Sequence, residues 1–209
     1  MGHASACPFA MAYYQRNLPH WQPQGASLFI TWRLDGSLPV SCAKPESSAT
    51  LRISAGQAFR AWDARLDAAS SGPVWLRDPR LAAMVVAALH HGERDKKLYR
   101  LFAYVVMSNH VHVLLEPLAP AATIMHWIKG VTAREANRLL GRDGVPFWQH
   151  ESYDHWVRKE DEGQRVIRYI ESNLVVAGLV ERVEQWPWSS ACCPVGDGDG
   201  PAQAEACAT

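Results

Sequence analysis

"YRLFAYVVMSNHVHVLLEP", residues 99–117, is the stretch on which the reading of the whole chain turns. Two runs rich in β-branched and aromatic residues flank Ser108-Asn109, a turn signal, so the segment predicts an antiparallel hairpin. Its second arm sets His110 and His112 one residue apart in a strand otherwise made of Val and Leu. Side chains alternate faces along a strand, so both imidazoles point one way while Val111 and Val113 point the other. Burial normally excludes histidine from such a position. Neutral imidazole is a good donor to a divalent cation, and two side by side suit one ion if a third group arrives from elsewhere. By spacing alone, His-x-His fits two exposed or partly satisfied histidines on a sheet face better than a metal site.

Working outward, "SLFITWRL" (27–34) reads as a strand and "DGSLPVSCAKPESS" (35–48) as a turn-rich loop. Leu51, Ala55, Ala58, Phe59, Trp62 and Leu66 recur at helical intervals. Asp78-Pro79 predicts an N-cap with Pro at the first helical position, opening a helix through about Leu89. After the hairpin, Ile124, Trp127, Ile128, Val131, Ala136 and Leu139 mark another helix, with Gly141 as its stop. "FWQHESYDHWVR" (147–158) is a loop running into a short strand, and "DEGQRVIRYIESNLVVAGLV" (161–180) a helix ending near Gly178. The order β, α in two pieces, β, β, α, β, α is that of an α+β, ferredoxin-like βαββαβ fold. It predicts an antiparallel sheet with helices on one face, plus an extra C-terminal helix.

The 209 residues suit one domain, spanning 26–191, preceded by an irregular Pro-containing lead-in (1–25) and followed by a tail (192–209) that reads as disordered. Basic and acidic residues balance at 21 each, so the usual basic footprint of a nucleic-acid binder is absent from the sum. Local patches, which a sum hides, decide that question. The five cysteines are odd in number and lack C-x-x-C spacing, which argues against a disulfide framework or a zinc knuckle. No run is apolar enough for a membrane span, and the first residues lack the pattern of a signal peptide, so the expected compartment is the cytoplasm.

The last helix offers chemistry to match the histidines. Tyr169 and Asn173 stand at i, i+4 and share a face. A tyrosine hydroxyl is a competent nucleophile when a nearby metal polarises the electrophile, and an asparagine amide oxygen is a reasonable third ligand. Read without context, the same pair is an amphipathic core tyrosine and a helix-end asparagine.

At these residues the chain resembles the single-tyrosine HUH transposases, more closely the REP-associated tyrosine transposases. "YVVMSNHVHVLLEP", "LPHWQPQGASLFITWRLDGSLP", "FWQHESYDHWVR", "RVIRYIESNLVVAGLV" and "WPWSS" look like that family's successive blocks, covering about residues 13–191. The resemblance implies a catalytic helix bearing Tyr169 as the attacking residue, and Mg²⁺ or Mn²⁺ held by His110, His112 and Asn173. It implies cleavage and rejoining of hairpin single-stranded DNA through a 5′-phosphotyrosine, by a monomer or homodimer; the alternative is a domesticated hairpin binder without catalysis. The family's usual Asn-Pro is here Asn173-Leu174, which lets the helix run further. Stacking and cationic contacts to DNA are expected from Arg33, Lys129, Arg134, Arg158 and Trp148.

Overall fold

The structure, a computed structural model, describes residues 26–38, 55–68 and 72–192. The lead-in, the start of the first helix at Leu51, most of the tail and every cysteine except Cys192 lie outside the described residues. Strand β1 (Ser27–Arg33) is followed by helices α1 (Ala55–Asp67) and α2 (Pro79–Arg94), then strands β2 (Tyr99–Val106) and β3 (His110–Pro117). Helix α3 (Ala121–Leu139), strand β4 (Tyr153–Val157) and helix α4 (Glu160–Val176) complete the order.

The sheet order is β2-β3-β1-β4, and every pairing is antiparallel. This is the arrangement expected of the βαββαβ pattern, with β1 and β3 central. The turn between β2 and β3 is closed by Met107 N–H donating to the His110 carbonyl at 2.9 Å. Asp78 caps α2 as expected, its side chain accepting from the Arg80 N–H, although the helix runs a full turn past Leu89. Gly141 and Gly178, past the ends of α3 and α4, take φ of 63° and 67°, the left-handed conformation that glycine adopts at least cost.

Strand alternation divides the core in two. Leu28, Ile30, Trp32, Val111, Val113 and Leu115 face α2 and α3 in one cluster. Phe29, Val105 and Leu114 face the other side, where Phe59, Trp62 and Leu66 of α1 meet Ile170 and Leu174 of α4. The first crossover helix was expected to lie in two pieces on one face. Instead α2 packs with α3, while α1 crosses to the opposite face and lies with α4. The apolar positions of α1 and α4 need a buried surface, and the face carrying Phe29 and Leu114 supplies it. That face also carries His110 and His112.

The C-terminal segment closes the β2 edge. Val106 N–H donates to the Trp188 carbonyl, and Trp186 Nε1–H donates to the Val106 carbonyl at 3.0 Å. An exposed edge is thereby blunted, and both tryptophans anchor this segment.

Candidate active site

His110 and His112 are fully buried side by side, with ring centroids 4.6 Å apart. Each is held through Nδ1. The His110 Nδ1–H donates to Asn109 Oδ1 at 2.7 Å, and Asn109 Nδ2–H donates to the Leu66 carbonyl of α1 at 2.9 Å. The second contact fixes which end of the Asn109 amide is oxygen. Since that oxygen can only accept, the proton of His110 sits on Nδ1 and Nε2 keeps its lone pair. His112 Nδ1 lies 2.7 Å from Thr31 Oγ1, while its Nε2 is 2.9 Å from Asn173 Nδ2. Asn173 Nδ2 also approaches Asp63 Oδ2 at 3.2 Å, which identifies it as the N–H₂ end and makes His112 Nε2 an acceptor.

Neither Nε2 atom carries a proton, and the two lie only 2.9 Å apart. The His112 Nε2 lone pair accepts from Asn173 Nδ2–H, and the two bare nitrogens still repel in a dry site unless a cation comes against them. Burial holds both imidazoles neutral, with pKa values pushed down to about 3, for His110 with added repulsion from His112. They are thus ready to ligate without first losing a proton.

A group the sequence reading passed over completes the cluster. Asp63 of α1 is 1% exposed, and its Oδ1 stands 3.4 Å from His112 Nε2 and 3.7 Å from His110 Nε2. That oxygen has no hydrogen-bond partner, and neither has Asp67 Oδ1, 3.8 Å from His110 Nε2. Among the described residues, Asp63, His110 and His112 form a group able to hold a metal ion. Two bare nitrogens beside an orphaned, buried carboxylate oxygen fit a divalent cation. Burial pushes the Asp63 carboxyl up against the opposing pull of His110, Tyr169 and Asn173. Burial and the neighbouring Asp63 bring Asp67 up to about 7.

The phenol comes to the same place. Tyr169 O–H donates to Asp63 Oδ2, and its ring centroid lies 6.0 Å from that of His112. Burial first, then the Asp63 charge, push its hydroxyl well above the usual tyrosine range. The i, i+4 spacing does put Tyr169 and Asn173 on one face, and that face meets the imidazoles of the same chain. Asn173 Nδ2 lies between His112 Nε2 and Asp63 Oδ2, at 2.9 and 3.2 Å.

Residues 82–173 match the family described as "Transposase IS200 like". Over that stretch the chain is similar to the IS200-like transposases. A solved structure described as "Structure of the REP associates tyrosine transposase bound to a REP hairpin" shares the fold. The TM-score is 0.50 at 18% identity, over 88% of this chain and 91% of that one. No curated protein matches the sequence. Asp63 lies outside the matched stretch, whereas both histidines, Tyr169 and Asn173 lie inside it.

The cations and aromatics expected at DNA divide in two. Arg134 and Arg158 are exposed. Arg33, Lys129 and Trp148 are not surface contacts. Arg33 is 5% exposed, with one guidinium N–H donating to Ser37 Oγ at 3.1 Å. Lys129 Nζ donates to the carbonyls of Gln149, His150 and Glu151 at 3.0, 3.2 and 3.2 Å, pinning the segment that leads into β4. Burial, with help from the Arg33 charge, pulls the Lys129 pKa down to about 7. Trp148 packs in the core, its Nε1–H on Thr132 Oγ1 at 2.8 Å. Sequence composition marks such residues as cationic or aromatic but does not say which carbonyls and hydroxyls the fold will set beside them. Among the described residues no helix is long and apolar enough to cross a membrane.

Proposed function

We propose that this protein cleaves and rejoins single-stranded DNA at hairpins, with Tyr169 as the nucleophile. One observation carries the reading: the Tyr169 hydroxyl and the His110–His112 pair share Asp63 as a common neighbour within a single chain. The match of residues 82–173 to the IS200-like transposases supports the DNA chemistry, and the hairpin held by the REP-associated structure supports the substrate shape.

Tyr169 Oη attacks the scissile phosphorus and forms a P–O bond to the 5′ side, while the bond from phosphorus to the 3′ oxygen breaks and that oxygen leaves as a 3′-hydroxyl, taking up the proton the phenol gives up. That hydroxyl, or one from another strand, reverses the step and rejoins DNA, so the bond energy is conserved. The phenol O–H already donates to Asp63 Oδ2, the atom placed to take its proton as the nucleophile engages. This matters because the same burial that raises the Tyr169 pKa disfavours its free ionisation. His110 and His112, with an oxygen donor, would hold Mg²⁺ or Mn²⁺. When bound, the ion offsets charge growing on the phosphate. Arg134 and Arg158 supply exposed cations for the phosphate backbone. Because the phenol reaches the imidazoles of its own chain, the geometry supports action as a monomer; homodimer exchange of α4 is not required. The cytoplasm is the compartment where such chemistry meets DNA.

The test mixes the protein with end-labelled hairpin oligonucleotides and Mg²⁺ or Mn²⁺ and resolves the products on a denaturing gel. A covalent protein–DNA band that needs the metal and is lost in Tyr169→Phe is expected. Cleavage that survives Tyr169→Phe with no adduct would assign the chemistry to water. Tight hairpin binding with no cleavage in the intact protein would instead make it a domesticated binder.

A further inference from the structure

We propose that the groove between α3 and residues 145–154, on the sheet face turned away from the imidazoles, holds one unpaired DNA base bearing an amino group, with Asp154 reading its edge. The proposal rests on the hairpin-DNA reading above, since the single-stranded flank of a hairpin supplies unpaired bases. The groove encloses about 500 Å³. Met125 and Ala133 of α3 line it together with Pro146 and Phe147, which makes an apolar slot suited to a flat ring.

Gly130 is the first support. It lies in the middle of α3 and lines the groove, at a position where glycine costs about 1 kcal/mol against alanine. A Cβ there would meet no atom within 4 Å, so packing does not demand the glycine. The bare position keeps the slot wide and lets a ligand lie against the helix backbone.

Asp154 is the second. Alternation along β4 turns Tyr153 to the α1 face, where it stacks on Phe59 at 4.2 Å, and turns Asp154 into the groove. Among the described residues no hydrogen-bond donor reaches the Asp154 carboxyl, and burial holds it at about 6. A half-buried carboxyl without a donor is costly, and in a cleft it marks a place where a ligand brings the donors.

The charges around the slot select the ligand. Lys129 lines it, but its ammonium is committed to the carbonyls of Gln149, His150 and Glu151, and the Glu151 charge opposes its own. His126 and His150 also line it, and both are exposed to water. The inner end thus offers acceptors and no spare ammonium, which disfavours a phosphate and favours an N–H edge. A carboxyl group accepts from the amino group of adenine or cytosine and, when protonated, donates to the ring nitrogen beside it; guanine offers two N–H groups side by side. Thymine sets two carbonyl oxygens around its single N–H and repels a carboxylate. The groove and the phenol are one strand apart, since Phe59, on which Tyr153 stacks, lies 6.0 Å from the Tyr169 ring. DNA engaged at Tyr169 can cross β4, which is an edge strand, and set a flanking base in the slot.

Fluorescence anisotropy of labelled short dA, dC and dT homopolymers with the full chain, without added metal, tests this. The intact protein should bind dA and dC at least about tenfold more tightly than dT. Gly130→Leu, which fills the slot, should shrink that difference to less than about twofold while melting no lower than the intact protein. Asp154→Asn, whose amide N–H₂ donates to thymine carbonyls, should remove the preference as well. Equal binding of all three strands by the intact protein, or a preference that persists in either variant, would overturn the proposal. So would a lower Tm in Gly130→Leu, which would mean that a segment of this chain already fills the groove. Free deoxycytidine that binds as tightly as the dC strand would make the ligand a nucleoside and refute the DNA assignment. Adduct formation is scored apart. An adduct without a Gly130-dependent preference overturns this proposal alone, and the preference without an adduct overturns only the proposed reaction.

Discussion

Replacing Asn109 with alanine removes one side chain and breaks two buried contacts at once. Asn109 is 2% exposed; it holds His110 Nδ1 at 2.7 Å and the Leu66 carbonyl at 2.9 Å. That carbonyl belongs to the last turn of α1, where the helix itself offers no N–H partner. Alanine leaves a buried N–H and a buried C=O unpartnered, at about 1–3 kcal/mol each, so a loss of about 2–6 kcal/mol is expected. For a chain of this size, about 2–4 °C per kcal/mol converts this to a fall in Tm of roughly 4–24 °C. Freed of its partner, His110 also loses its fixed tautomer, and metal affinity should fall about 10- to 100-fold. Asn109→Asp separates the two effects. A carboxylate still accepts from His110 Nδ1–H but cannot donate to Leu66, so stability should fall while most metal affinity stays. Thermal unfolding by circular dichroism and Mn²⁺ calorimetry read both quantities. If Asn109→Ala melts within about 2 °C of the intact protein, where the cost above implies several degrees, and binds Mn²⁺ equally well, the bridging role is refuted.

Two further outcomes follow from packing and burial. In α2, a Cβ at Gly92 would overlap the Tyr99 hydroxyl and lie 2.8 Å from Trp127 Cζ3, disturbing the 2.8 Å bond from Tyr99 O–H to the Leu89 carbonyl. The clash should outweigh the helix-propensity gain of about 1 kcal/mol, so Gly92→Ala should lose about 1–2 kcal/mol in urea unfolding; a stabilised variant would contradict the packing. Burial brings the Asp154 carboxyl up to about 6 from its ordinary 3.8. A raised folded-state pKa means that its stability contribution is fully present below about pH 3.8 and is lost as pH rises through about 6. Asp154→Asn should therefore raise Tm at pH 7.5 and give no gain at pH 3.5, and an equal gain at both would remove the charge as the cause.

Much of the architecture was legible because local signals agreed. The Ser108-Asn109 turn, the Asp78-Pro79 helix start and the glycines at 141 and 178 all act through backbone conformation, which depends on near neighbours. The alternation around His110 and His112 likewise required both rings to share a face, as they do. The helical spacing of Tyr169 and Asn173 placed both on one side of α4.

Asp63 carried a signal that went unread. Phe59, Trp62 and Leu66 mark the buried stripe of α1, and Asp63 falls within that stripe, where a carboxylate is rarely tolerated without a partner. Periodicity alone could have flagged it. What it might partner could not be read, since Asp63 and His112 are brought together only when α1 crosses to the face that carries α4. The same limit explains Lys129, Arg33 and Trp148, whose cationic and aromatic character suggested DNA contacts but whose partners are groups of this chain.

The sequence by itself determined the strand and helix order, the shared face of the imidazoles and the pairing of phenol and amide on one helix, because each depends on residues a few positions apart. Only the tertiary structure decided that α1 lies over that face and presents Asp63 and Asp67 to the imidazoles. It also decided that Asn173 turns its nitrogen inward. Those outcomes follow from long-range packing of apolar stripes and from the repulsion between an amide oxygen and a buried carboxylate, neither of which short-range spacing encodes.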